Sequence, residues 1–411
     1  MNSIWKVSRR SLMKWGLVST GLSFLPKGRL SAALAPPAQV GGRAEDELYS
    51  GKNLPDGGQL EIRMIASPYS NDLDVVEVAE RLAPYNPESW LAEWTRVAEK
   101  NQKLAEGFEK EGRKVTANQY YMRAAQFYQR AVIYLPETHP RMLPTFNTLL
   151  DMLKRAYELV PPPFERLEIP YEGSTLPAQF SKPRGAPGQR FPTVYSFGGA
   201  DSNVVGGGGG AYNARGMANL ALDGPGQGVP LRLRHIYAPP DSERVAKVVI
   251  DYLVSRPDVD PNRIGISGMS MGSYTAPRIA SGDKRVKACA MSSGSFSLLE
   301  DIFDYYPPIR DRLRWLCGAK DMTEARKKMA EFTLKGRADQ IECPMWIGYA
   351  KDDRIMDPQG AFRLYQAATR SQKTMVEGGG PHIGETRWRP QHLQPPNMVD
   401  WLAKQLVPTS S

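Results

Sequence analysis

The chain has 411 residues, with 53 lysines and arginines against 44 acids and a formal net charge of +9; that length accommodates a full enzyme core and a second module. Six basic residues and no acid fall within the first 29 positions, so the remainder carries only +3; without a basic stripe interleaved with aromatics, nucleic acid is excluded as a partner. Cys289, Cys317 and Cys343 lie far apart and lack the spacing of a zinc site or a fully paired disulfide framework, so they read as buried thiols and no metal or cofactor is implied.

The N-terminal run Ser8-Arg9-Arg10-Ser11-Leu12-Met13-Lys14, followed by an apolar stretch from Trp15 to Leu25, has the pattern of a twin-arginine signal peptide. It predicts a periplasmic protein whose first partner is the twin-arginine export machinery. Residues 1–33 form this segment, with Ser31-Ala32-Ala33 as small residues for cleavage. Its apolar run falls well short of the ~20 residues that span a bilayer. Residues 34–70, rich in Ala, Pro, Gly and charge, read as a linker or arm.

Residues 71–163 have helical grammar. Asn86-Pro87-Glu88 opens a segment in which Trp90, Leu91, Trp94, Val97 and Ala98 recur at three- and four-residue steps. Thr116-Ala117-Asn118-Gln119 resembles a capping box, opening a second helix that carries Tyr121, Ala124, Ala125 and Tyr128 and stops at Pro136. A third helix runs near Leu143 to Leu159, before Pro161-Pro162-Pro163. The aromatics Trp90, Trp94, Tyr120, Tyr121, Phe127 and Tyr128 sit at helical spacing and read as core before they read as pocket lining.

The pattern changes across residues 164–407. Short strands are predicted at Glu165 to Tyr171, Leu176 to Ser181, Thr193 to Phe197, Met217 to Leu222, Arg263 to Ser267, Val286 to Ser292, Met345 to Tyr349 and Thr374 to Val376. Helical stretches between the later strands imply a mostly parallel sheet covered on both faces. One covering helix spans Ser242 to Arg256; another begins with Asp357 as N-cap and Pro358 at its first position.

Gly268-Met269-Ser270-Met271-Gly272 follows the fifth predicted strand and has the G-x-S-x-G spacing of a nucleophile elbow. In α/β-hydrolases the acid and the histidine come later in the chain, each on a loop after a strand. Here Asp353, with Asp352 as the fallback, follows Met345 to Tyr349, and His382 follows Glu377-Gly378-Gly379-Gly380-Pro381. Of the four histidines, His139 reads as a packing or capping residue, His235 as a surface residue, and His392 lies near the C-terminal helix. Neutral imidazole can take the serine proton near pH 7, and a carboxylate fixes its tautomer. The expected oxyanion donors are the Met271 N–H and one from Gly199 or Ala200, in the loop after the third strand.

Asp223-Gly224-Pro225-Gly226-Gln227-Gly228 lacks the pattern of a phosphate loop and reads as a structural turn beside the active site. The run Gly206 to Gly210 is left without a role.

This turn, the segment Arg256-Pro257-Asp258-Val259-Asp260-Pro261-Asn262-Arg263-Ile264 leading into the elbow, and the helical N-terminal region resemble the 2,6-dihydroxypseudooxynicotine hydrolase and fermentation-respiration switch protein group of α/β-hydrolases. Fungal polyketide-shortening hydrolases are similar too. The resemblance covers roughly residues 85 to 405 and implies an α/β-hydrolase fold whose helical cap shapes a pocket for aryl ketones, diketones or esters. It also implies that an acid after the oxyanion glycines assists carbon-carbon cleavage. Asp201 stands at the matching position, one carbon shorter than the glutamate expected there. The leading expectation is therefore an exported serine hydrolase acting on a small acyl compound, with a peptidase and a non-catalytic binding protein as the alternatives.

Overall fold

The computed structural model describes residues 72–83, 86–203, 209–378, 382 and 397–408. The expected signal peptide, the 34–70 arm, Gly206 to Gly208 and His392 lie outside the described residues.

Four helices come first: α1 (Leu73–Arg81), α2 (Pro87–Lys110), α3 (Lys114–Ala131) and α4 (Met142–Leu159). Asn86 caps α2 as expected, its side-chain oxygen accepting from the N–H groups of Glu88 at 3.0 Å and Ser89 at 3.1 Å. The capping box at Thr116 does not form. Gly112 adopts φ +76°, open to glycine at no steric cost, so the chain reverses at once and α3 starts at Lys114, with Thr116 already inside it. That helix also ends at Ala131, short of Pro136.

The helical aromatics form a core. Trp94 is 2% exposed and packs at 5.6 Å from both Trp90 and Phe127; each such side chain contributes about 1.5–3 kcal/mol by leaving water. Leu231 and Trp315, from beyond the three prolines, complete this core. The change of grammar at Pro161 to Pro163 thus marks a change of architecture and not a break in packing, and the described residues on its two sides belong to one compact unit.

The eight strands are β1 (Glu165–Tyr171), β2 (Ser174–Ser181), β3 (Phe191–Phe197), β4 (Ala218–Leu222), β5 (Val259–Met269), β6 (Val286–Ser292), β7 (Met345–Ala350) and β8 (Lys373–Gly378). They form one sheet in the order β1-β2-β4-β3-β5-β6-β7-β8. The hairpin β1-β2 and the pair β2-β4 are antiparallel, and all later pairs are parallel. The central strand β5 extends beyond the expected Arg263 to Ser267 because it pairs on both sides, with β3 and β6.

Helices α5 (Gly210–Asn213), α6 (Gly228–Arg234), α7 (Ser242–Ser255), α8 (Gly272–Gly282), α9 (Arg310–Leu316), α10 (Met322–Met329), α11 (Gln359–Ala367) and α12 (Met398–Leu406) complete the fold. The two-residue period of the strands divides their side chains between two cores. Along β6, Cys289 and Met291 pack toward α8, whereas Ala288 and Ala290 pack toward α12. The same alternation puts Trp346 of β7 on the α12 side between Met345 and Ile347, which face the other core. This doubly covered parallel sheet is the predicted α/β-hydrolase architecture. Helix α11 starts one residue later than expected, with Pro358 and not Asp357 in the cap position, while Asp357 accepts from the Gln359 N–H at 3.0 Å from just outside the helix.

Asp74 ties α1 to the other helices. Its carboxylate accepts from Lys100 at 2.7 Å, Asn101 at 2.8 Å and Arg123 at 2.7 Å. Burial alone would raise its pKa, but these bonds outweigh it and bring the group from 3.8 to about 2. A depressed carboxyl contributes stability above its unfolded pKa and loses it as pH falls toward the folded value. We expect acid to loosen the helical region between about pH 4 and pH 2, with a smaller acid dependence in Asp74→Asn, as checked by far-ultraviolet circular dichroism of both proteins.

Candidate active site

The elbow is built from close backbone packing. Ser270 sits between β5 and α8 with φ +52°, a left-handed conformation that costs a non-glycine residue roughly 1–2 kcal/mol. A Cβ on Gly268 would fall 1.9 Å from the Gly272 carbonyl oxygen. One on Gly272 would fall 2.7 Å from the carbonyl oxygen of Gly198 and 2.9 Å from that of Phe197. Both glycines are therefore required by contact. The Ser270 N–H donates to the Ser292 carbonyl at 3.2 Å, anchoring the turn to the end of β6.

At the carboxyl ends of the parallel strands the side chains meet. Ser270 Oγ lies 3.0 Å from His382 Nε2, and His382 Nδ1 lies 3.1 Å from each Asp353 oxygen. Asp353 Oδ1 accepts from the N–H groups of Ile355 and Met356, both at 2.9 Å. Asp353 is buried whereas Asp352 is exposed, so the turn after β7 selects Asp353. His139 contacts Glu88 at 3.1 Å in the helical region, and His235 ends α6 as an exposed left-handed residue with φ +53°.

Two partners of this group were not evident in the sequence. Ser293 Oγ donates to Asp353 Oδ2 at 3.0 Å, from a buried position with φ +67°. The Tyr305 hydroxyl donates to the Asp353 carbonyl at 2.8 Å. The only hint in the sequence was the place of Ser293 immediately after β6, another strand end on this edge.

The loop after β3 runs alongside, because Phe197 and Gly268 are in register. A Cβ on Gly199 would lie 3.2 Å from both Ser270 Oγ and Asp201 Oδ1, so the hydroxyl and the carboxylate flank one point. Gln227, from the Asp223 to Gly228 turn, donates to the Gly199 carbonyl at 2.7 Å and holds the loop. From the helical region, Gln129 donates to the Asp201 carbonyl at 3.4 Å. Ala200 is buried in this loop, and Met271 is the N-cap residue of α8, at the positive end of that helix. A pocket adjoins Gly198 and Met271, lined mainly by apolar residues including Phe197, Leu298, Leu316 and Phe332.

Among the described residues, no group of three or more His, Cys, Asp or Glu side chains is placed to hold a metal ion. Cys289, Cys317 and Cys343 are free thiols, the first two buried and Cys343 half-buried.

A family model described as Esterase FrsA-like matches residues 59–304, and one described as BAAT / Acyl-CoA thioester hydrolase C terminal matches residues 247–366. The alpha/beta hydrolase pydG of Acremonium sp is 32% identical over 74% of this chain and 84% of its own length. The 20-hydroxy-prefusarin hydrolase FUS2 of Gibberella moniliformis is 28% identical over 75% of this chain and 86% of its own. The crystal structure of the 2,6-dihydroxy-pseudo-oxynicotine hydrolase has the same fold, with a TM-score of 0.69 and 24% identity over 84% of this chain and 95% of that one.

The packing of the elbow has a direct consequence. Gly268→Ala brings a methyl group against a backbone carbonyl that no side-chain rotation can relieve, and should cost about 3 kcal/mol or more. Urea unfolding of the two proteins measures it.

Proposed function

Because the chain belongs to the FrsA-like esterase family of α/β-hydrolase enzymes, we propose that it is a serine hydrolase with Ser270 as nucleophile, His382 as base and Asp353 as the orienting acid. The observation that carries this reading is the continuous chain from Ser270 Oγ through His382 to Asp353, at 3.0 and 3.1 Å. His382 Nε2 takes the Ser270 proton as Oγ attacks the carbonyl carbon of the substrate. The oxyanion that forms accepts from the Met271 N–H and from Gly199 or Ala200. Collapse expels the leaving group, which takes the proton from His382; water then repeats the sequence on the acyl-enzyme and releases the acid.

The substrate we propose is a small aromatic acyl compound, either a carboxylic ester or a ketone cleaved at the adjacent carbon-carbon bond. The apolar pocket beside Gly198 and Met271 favours an acyl group, and hydrolases of a prefusarin and of a pseudo-oxynicotine are among the similar proteins. For the ketone route, Asp201 is the assisting acid. Its Oδ1 flanks the point beside Gly199 that Ser270 Oγ also reaches, and there it can hold a water or a hydrated carbonyl. The leader around Arg9 and Arg10 favours export to the periplasm by the twin-arginine route.

In Ser270→Ala, turnover should fall at least about 10³-fold and labelling by a fluorophosphonate probe should disappear; full activity in this variant sinks the reading. A parallel screen of aryl esters and aryl β-diketones assigns Asp201. Loss of diketone cleavage alone in Asp201→Ala gives it the assisting role, and equal retention of both activities removes it. Replacing Arg9 and Arg10 together by lysine should leave the protein in the cytoplasmic fraction on immunoblots.

A further inference from the structure

Two arginines lie buried where the helical region meets the hydrolase sheet. Arg232 of α6 is 4% exposed and Arg312 of α9 is 6% exposed. Such groups are normally buried only when fully paired, and these are not. Their hydrogen bonds go to main-chain carbonyls: Arg232 to Gly228 at 3.3 Å, and Arg312 to Val132 at 3.1 Å and Ile133 at 3.2 Å, just past the end of α3. Arg232 Nε and Arg312 Nη1 are buried without an acceptor.

The remaining support comes from aromatic faces. The Trp315 ring carries both guanidiniums, Arg312 at 5.0 Å and Arg232 at 5.5 Å, and Phe146 of α4 lies 4.8 Å from Arg232. The pair lies within electrostatic reach of the loop after β3. The carboxylate of Asp201 acts on both arginines, that of Asp223 on Arg232, and those of Asp311 and Glu137 on Arg312. Burial pulls both groups below the ordinary arginine range, and for Arg232 the charge of Arg312 adds to the effect.

Two like charges held together out of water, each with an unused donor, form a receptor for an anion with two oxygens. We propose that Arg232 and Arg312 bind a carboxylate on the substrate, so that the enzyme acts on acyl compounds that also carry an acid group. This rests on the serine hydrolase reading and names its substrate class. The arginines interact electrostatically with Asp201, whose Oδ1 flanks the point beside Gly199 that Ser270 Oγ also reaches, so a carboxylate held by the pair leaves the rest of the molecule within reach of the nucleophile. Arg312 is at the same time bonded to the end of α3, so the bound acid and the helical cap share one cation.

The test separates binding from turnover. Calorimetry of the full chain compares 4-phenylbutanoate with 4-phenylbutanamide, which differ in charge and hardly in shape. We expect the acid to bind at least tenfold more tightly to the wild type, and the difference to vanish in Arg312→Met. Arg232→Gln, which surrenders no hydrogen bond to the cap, must lose it as well and covers the case in which Arg312→Met loosens the cap. Equal affinity for acid and amide in the wild type, or a preference for the acid that survives in Arg232→Gln, overturns the proposal. Failure of the serine hydrolase reading registers separately, as absent fluorophosphonate labelling of a protein whose acid preference is intact.

Discussion

The left-handed turn at Ser270 is the constraint on which the rest of the site depends. It exists only because Gly268 and Gly272 let strand, helix and neighbouring loop approach to distances that forbid a Cβ. Once formed, it fixes the loop after β3, which must pass beside it in register, and the end of β6, whose Ser292 carbonyl takes the Ser270 N–H. Ser293 then turns through a second left-handed backbone and reaches Asp353. Strain at two adjacent strand ends is thus borne by the paired centre of the sheet, where burial and parallel hydrogen bonds outweigh it.

The helical cap is joined to this centre by specific contacts. Gln129 touches the backbone of Asp201, Arg312 reaches the carbonyls at the end of α3, and Trp315 and Leu231 are inserted into the cap's own core. A displacement of α3 is therefore felt at the loop that carries Gly198 and Gly199 beside Ser270. In physical terms the cap is part of the site's wall, and its aromatic interior supplies rigidity to that wall.

Much of this was legible in the sequence because strands, elbow and ordered Ser-Asp-His loops obey short-range rules. The edges of β1 and β6 were readable to the residue from their apolar runs and flanking turns. The helix starts were less so: a capping-box pattern at Thr116 was outcompeted by the tight reversal at Gly112. Choosing Asp353 over Asp352 needed the turn geometry, which aims two N–H groups at one carboxylate. Ser293 was marked only by its place after β6, and Gln227 and the Arg232–Arg312 pair were invisible, since each meets a neighbour distant in the chain and no local period marks it.

The strand order carries a consequence for how the protein is made. Ser270 follows the central strand β5, whereas His382 is delivered only after β8, at the far edge of the sheet and 112 residues later. During synthesis the serine hydroxyl is complete long before the imidazole beside it. The order of elements along the chain thus makes assembly of the hydroxyl–imidazole pair coincide with completion of the sheet.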